Sequence, residues 1–166
     1  MPNPIYVWFK GKNQGVIAGH GSWPGEDDQK GRENSCIAYE FSYGVEIAFD
    51  ADTGQASGRR RHKPIHITKR MDKASPKLLQ ALTQGETLTE VKFEFYRVDK
   101  MGGQSKYYTI ELTNAQLVNI TQWFPITHDK EKAHYPHCEN VELTFQKITY
   151  TWVDGGITSQ DDWQAG

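Results

Sequence analysis

The side chains able to do chemistry are few and poorly grouped. Six histidines and two cysteines invite a metal reading. His62 and His66, taken as four residues apart on one extended strand, would lie roughly 13 Å apart and could not share an ion. His128, His134, His137 and Cys138 fall in a single irregular stretch, without the Cys-x-x-Cys pair or helical His-Glu-x-x-His that marks a zinc site. They read as solvated loop histidines, and no metal ligand is assigned. The chain has no Gly-x-Ser-x-Gly elbow, and nothing ties any serine to a histidine, so no catalytic residue is assigned and an enzyme is not expected. Gly19, Gly21 and Gly25 follow no phosphate-binding spacing, so no cofactor is expected either. Cys36 and Cys138 are too few for a disulfide framework; reduced, partly buried thiols are the simpler reading, with a single bridge left open.

Two charge clusters and one tryptophan stand apart from the strand pattern. Arg59, Arg60 and Arg61 form a basic triplet, which in a chain of net charge −2 fits a solvated or protein-contacting patch better than a nucleic-acid site. Glu26, Asp27 and Asp28 form an acidic counterpart beside Trp23. That tryptophan is the one large apolar residue of a polar stretch, and it suits an anchor on a neighbouring subunit or back onto its own barrel. No run approaches the roughly 18 apolar residues of a membrane helix, and MPNPIYVWFKGK lacks the layout of a secretory signal. The default expectation is therefore a soluble cytoplasmic protein, without nucleic-acid or membrane partners.

The elements that must carry these groups are mostly strands. With 166 residues the chain fits one domain, 1–166, able to bury about 68–70% of its unfolded surface. Ile5, Val7 and Phe9 alternate with Tyr6 and Trp8 before GKNQG turns the chain into Val16 and Ile17, an opening hairpin. Gly19 to Asn34 reads as a long exposed loop. Tyr39 to Phe49 alternates strictly and is either two strands or one strand bent at Gly44. Asp50 to Arg61 reads as turn chemistry, and Ile65 with Ile67 as a strand. Ser75 and Pro76 predict a helix start and Gly85 its stop, giving a short helix, about Pro76 to Gln84, with Leu78, Leu79 and Leu82 on the buried stripe.

Val91 to Tyr96 and Tyr108 to Leu112 predict a hairpin, Leu117 to Phe124 favours strand over a helical turn, and Trp123 to Asn140 reads as loop. Val141, Leu143 and Phe145 are odd-numbered, whereas Ile148, Tyr150 and Trp152 are even, so a β-bulge is expected near Gln146 and Lys147. Strand-periodic aromatics, Trp8 and Trp152 included, are read as core. The fold class is mainly β: a compact β-barrel of two antiparallel sheets with one short helix alongside and long exposed loops.

YVWFKGKNQG, HKPIHITKRMDKASPKLLQALTQGE, VKFEFYRVD followed by KYYTIELTNAQL, VELTFQKITYTW and the closing TSQDDW together resemble the haemolysin-coregulated protein (Hcp) family of bacterial type VI secretion. The resemblance spans nearly the whole chain, and the segment beginning HKPIHITKR is its most specific part. It implies a homohexamer whose rings stack into a tube, expelled by a contractile sheath. It also implies a spike protein at the tip, small effector proteins in the lumen, and export from the cytoplasm without a signal peptide. Gly19 to Cys36 departs from the family pattern where relatives contact neighbouring subunits, and the chain ends soon after DDW, which argues against an appended toxin domain. Head-to-tail ring closure needs complementary patches on one chain. Trp23, Glu26, Asp27, Asp28, Arg59, Arg60 and Arg61 are the candidate subunit contacts, the acidic group of one copy meeting the arginines of the next. The competing expectation is a monomeric β-barrel binding carbohydrate or peptide.

Overall fold

A computed structural model describes residues 3–20 and 31–163; Trp23, Glu26, Asp27 and Asp28 lie outside the described residues. The strands in chain order are β1 (Ile5–Gly11), β2 (Gly15–Ile17), β3 (Cys36–Ser42), β4 (Val45–Phe49), β5 (Ala56–His62) and β6 (Ile65–Arg70). After helix α1 (Ser75–Gln84) come β7 (Leu88–Val98), β8 (Gln104–Trp123), β9 (Cys138–Thr144), β10 (Lys147–Trp152) and β11 (Ile157–Asp162). A nine-stranded sheet runs β11-β10-β8-β7-β1-β3-β6-β9, with β2 on β1, and a further β8–β9 pairing closes β8-β7-β1-β3-β6-β9 into a barrel. Closure removes the open edges of those strands. Two pairs lie outside the ring: β10 and β11 extend the sheet from β8, while β4 and β5 form a separate two-stranded sheet.

The barrel fills as the alternation requires. Val7, Phe9, Ile65, Ile67, Val91, Phe93, Leu112, Val141 and Leu143 are all buried in one core. Trp8 and Trp152 are corrections to the core expectation. Trp8 is half-buried on the outer side, where its indole N–H donates to the Glu33 carbonyl at 2.8 Å, and Trp152 is exposed. Val7, beside Trp8 in β1, points inward instead, and Ile148, on the same face of β10 as Trp152, is the one that reaches the core.

The helix lies where expected but is started and covered differently. Ala74 is the N-cap residue and no side chain caps it; Pro76 occupies the first turn. The Ser75 hydroxyl instead donates to Glu139 Oε1 at 2.7 Å and accepts the Asp72 N–H at 3.1 Å. Gly85 ends the helix at φ 66°, with its N–H on Leu82 O and the Glu86 N–H on Ala81 O. A left-handed residue of this kind closes a Schellman turn at little cost when it is glycine. The buried stripe is Leu78 and Ala81 with Leu82 half-buried, whereas Leu79 is 54% exposed. Alanine is a poor sequence marker of a core position, so the apolar arc is displaced by one residue.

The phase slip after Phe145 is present, in another form. Lys147 pairs with Thr113 and Thr144 with Gln116, so the same step separates the pairs on both strands and no residue is inserted. Both strands change face together: Ala115 and Leu117 are buried before the break, Ile110 and Leu112 beyond it. Asn114 at φ 52° provides the kink, and its side-chain amide donates to Gln146 Oε1 at 2.9 Å. The register shift of the β8–β9 pair lies farther along, between Leu117 and Asn119. Leu117 to Trp123 is strand, continuous with β8. The loop before β9 is shorter than expected, because Cys138 already pairs with Arg70.

Candidate functional site

Residues 39–49 divide at Gly44 into β3, in the barrel wall, and β4, outside it. The strict alternation continues through β4, yet every residue of that strand is exposed: Val45 51%, Ile47 49% and Phe49 68%. Its partner β5 takes the segment expected to be a turn, and the turn itself is confined to residues 50–55. There the Asp50 carboxylate accepts the Asp52 and Thr53 N–H groups. Arg59, Arg60 and Arg61 are therefore strand residues. Register pairs Val45 with His62, Glu46 with Arg61 and Ile47 with Arg60. Paired residues share a face, so Val45, Ile47, Arg60 and His62 lie on one side and Glu46 and Arg61 on the other.

The arginines separate accordingly. Arg60 turns back to its own subunit: Nε donates to Asp161 Oδ2 at 2.6 Å and Nη2 to the Asp162 carbonyl at 2.7 Å. Arg59 and Arg61 remain exposed beside Glu46 and Phe49. The same Asp161 oxygen accepts from His62 Nε2 at 2.6 Å, while His62 Nδ1 lies 2.5 Å from the Tyr43 hydroxyl. A neutral imidazole satisfies both contacts when its Nε2–H donates to Asp161 and its Nδ1 accepts from the tyrosine. His62 stacks on Tyr43 and packs against Phe145 and Trp163, leaving it 4% exposed. The Arg60 hydrogen bond, seconded by that of His62, holds the Asp161 carboxyl below its ordinary range. Burial, with Tyr150 and Asp161 nearby, pushes the Tyr43 phenol well up.

His62 and His66 are not on one strand. They flank the junction between two sheets, and His66 faces Glu142 at 3.5 Å while His62 faces Asp161. Among the described residues no three histidine, cysteine or acidic side chains converge as metal ligands. Cys36 and Cys138 are both free and buried. Burial, then the nearby Asp72, pushes the Cys36 thiol up, so it is a packed thiol without thiolate character.

A second cluster, which sequence spacing does not reveal, sits inside the barrel wall. Lys69 is completely buried and faces its cross-strand neighbour Glu139. Its ammonium donates to Glu139 Oε1, to Asp72 Oδ1 at 3.2 Å, to the Arg70 carbonyl at 2.9 Å and to Ser75 Oγ at 3.3 Å. Burial opposes the charge, but Asp72 and Glu139 more than offset it, and the Lys69 pKa lies above its ordinary value. Asp72 also accepts the N–H groups of Ala74 and His20, and Gln122 donates to the second Glu139 oxygen. This cluster joins β6, β8, β9, the start of α1 and the stem of the Gly19 to Asn34 segment. His20 at that stem is buried, unlike the exposed loop expected there.

The geometry thus offers two regions of different character: a barrel that encloses the mutually satisfied Lys69, Asp72 and Glu139, and a hairpin that presents apolar and cationic side chains to solvent. Comparison with known proteins agrees with this architecture. The family profile described as "Type VI secretion system effector, Hcp" matches residues 6–152. A Pseudomonas aeruginosa protein named "Major exported protein" is 40% identical over 99% of this chain and 98% of its own length. Among solved structures, one described as "Crystal structure of Hcp protein" superposes with TM-score 0.89 at 30% identity, covering 98% of this chain and 99% of that one. Another, "Secreted protein Hcp3 from Pseudomonas aeruginosa", gives 0.77 at 37% identity, covering 97% and 100%.

Proposed function

The chain belongs to the Hcp family of type VI secretion proteins, and on that premise we propose that it is a structural subunit of the secretion tube, closing into six-membered rings that stack and are exported. The observation that carries this reading is the β4–β5 hairpin. Two strands alone are at best marginally stable in water, and this pair leaves both outer edges and Val45, Ile47 and Phe49 uncovered. About half or more of each side chain is still exposed, so each gains about 1–2 kcal/mol if a neighbour completes its burial. Repeated at every interface of a closed ring or stack, that gain favours assembly of copies over a free monomer.

Arg59 and Arg61 supply the electrostatic part. Since Arg60 is engaged by Asp161, the contact between an arginine patch and the acidic Glu26, Asp27 and Asp28 of an adjacent copy reduces to these two outward residues, with Trp23 as the apolar anchor beside the acidic group. The lumen of the ring would hold small effector proteins, with a spike protein at the tip and the contractile sheath outside. Reversing Glu26, Asp27 and Asp28 to lysine should weaken assembly, and reversing Arg59 and Arg61 to glutamate in the same chain should partly restore it. Rings and stacks that survive the single reversal at physiological salt would rule out the charge pairing.

A further inference from the structure

The β4–β5 hairpin stands away from the barrel, yet it is held at one place. Among the described residues, the side-chain hydrogen bonds that leave β5 run from Arg60 and His62 to Asp161 and Asp162, and from His62 to Tyr43. Trp163 completes the contact by packing on His62 and Phe145, with ring centroids 5.2 and 5.5 Å away. The hairpin is therefore tied to β11 by its charged groups, in addition to the packing of His62 on Tyr43 and Phe145 at the edge of the barrel core. That strand, β11, pairs only with β10 and is an edge of the nine-stranded sheet.

We propose that β11 acts as a clasp: the Arg60–Asp161–His62 contact makes the hairpin's order depend on the docking of β11. One carboxylate oxygen accepts both donors, so displacing the Asp161 side chain removes a hydrogen bond from Arg60 and from His62 together. Loss of either would leave a donor buried or half-buried without its partner, which favours an all-or-none response over a graded one. Coupling of this kind is reciprocal. Loosening the hairpin must loosen β11 as surely as the reverse. A merely local salt bridge would not show this, because its loss would affect its own strand alone.

The clasp concerns the free subunit, and only its consequence for assembly rests on the tube reading. The test is hydrogen–deuterium exchange on the unassembled full chain. Asp161→Ala should speed exchange about tenfold across residues 45–62, and Arg60→Ala should speed it by a similar factor across 157–163. Residues 65–70 and 88–98 in the barrel wall should keep wild-type protection in both. If each variant affects only its own strand, the clasp is refuted. If Asp161→Ala loosens the barrel as well, Arg60→Ala decides alone, since it lies on the hairpin and its effect on β11 is either present or absent. Ring formation, followed separately by solution mass, can fail without bearing on this result.

Discussion

The barrel wall and the β4–β5 hairpin are built from the same sequence pattern and meet opposite fates. Ile65 and Ile67 alternate with polar residues exactly as often as Val45 and Ile47 do, yet the first pair is fully buried and the second about half exposed. The difference lies in what stands opposite. In the barrel each strand has two hydrogen-bonded neighbours and a shared interior, and even a lysine and two carboxylates can be enclosed because each finds partners. In the hairpin each strand has one neighbour and no interior. Alternation specifies a strand with an apolar face, and it does not specify which molecule covers that face.

The sharpest way to break this contrast is inside the barrel. Lys69→Met leaves Glu139 and Asp72 buried beside an apolar side chain and should lower stability by about 3–5 kcal/mol, measured by urea unfolding. Adding Glu139→Leu should recover part of the loss. A Lys69→Met variant of wild-type stability would mean that the buried cluster is not a closed charge network. The same lysine sets an alkaline limit. Its raised pKa means its contribution is complete below about pH 10.4 and is lost as pH rises through the higher native value. Unfolding midpoints should therefore fall in wild type across that window, and less so in Lys69→Met.

Next in size is the helix. Leu78→Ala should cost about 2–5 kcal/mol, whereas Leu79→Ala should change stability by no more than about 0.5 kcal/mol. Equal losses in thermal unfolding would show that the helix packs differently. This pair also marks how far the sequence was legible. Pro76 and Gly85 locate the helix because their backbone chemistry is local, and the alternating strands follow from a period that needs no partner. The identity of the buried arc does not follow, because Ala81 carries little apolar signal. The Asp161 contacts were out of reach for a different reason. They join residues 99 and 101 positions apart, and β11 (ITSQDD) contains a single large apolar residue with no alternation. Nor could any local feature show Arg60 turned inward while Arg59 and Arg61 face out, until β5 was known to be a strand.

Smaller effects are expected at the hairpin's charges. The depressed Asp161 carboxyl contributes order that is present above its ordinary pKa, near 3.8, and is lost as pH falls through its lower native value. Exchange protection of residues 45–62 should therefore decline only in strong acid. Protection that disappears between pH 7 and 5 would contradict this. Arg59→Ala and Arg61→Ala should each alter subunit stability by less than about 0.5 kcal/mol. Their effect on association should shrink as salt rises.

The most direct measurement is solution mass with negative-stain imaging at micromolar concentration, on wild type and on the double variant Ile47→Asp, Phe49→Asp. Wild type should form sixfold rings. The variant should be a folded monomer whose unfolding midpoint matches that of the unassembled wild-type subunit, because these side chains are exposed in the subunit and covered only by a neighbour. Rings that persist in the variant, or a wild-type chain that is a clean monomer, would contradict the assignment of the hairpin as the assembly surface.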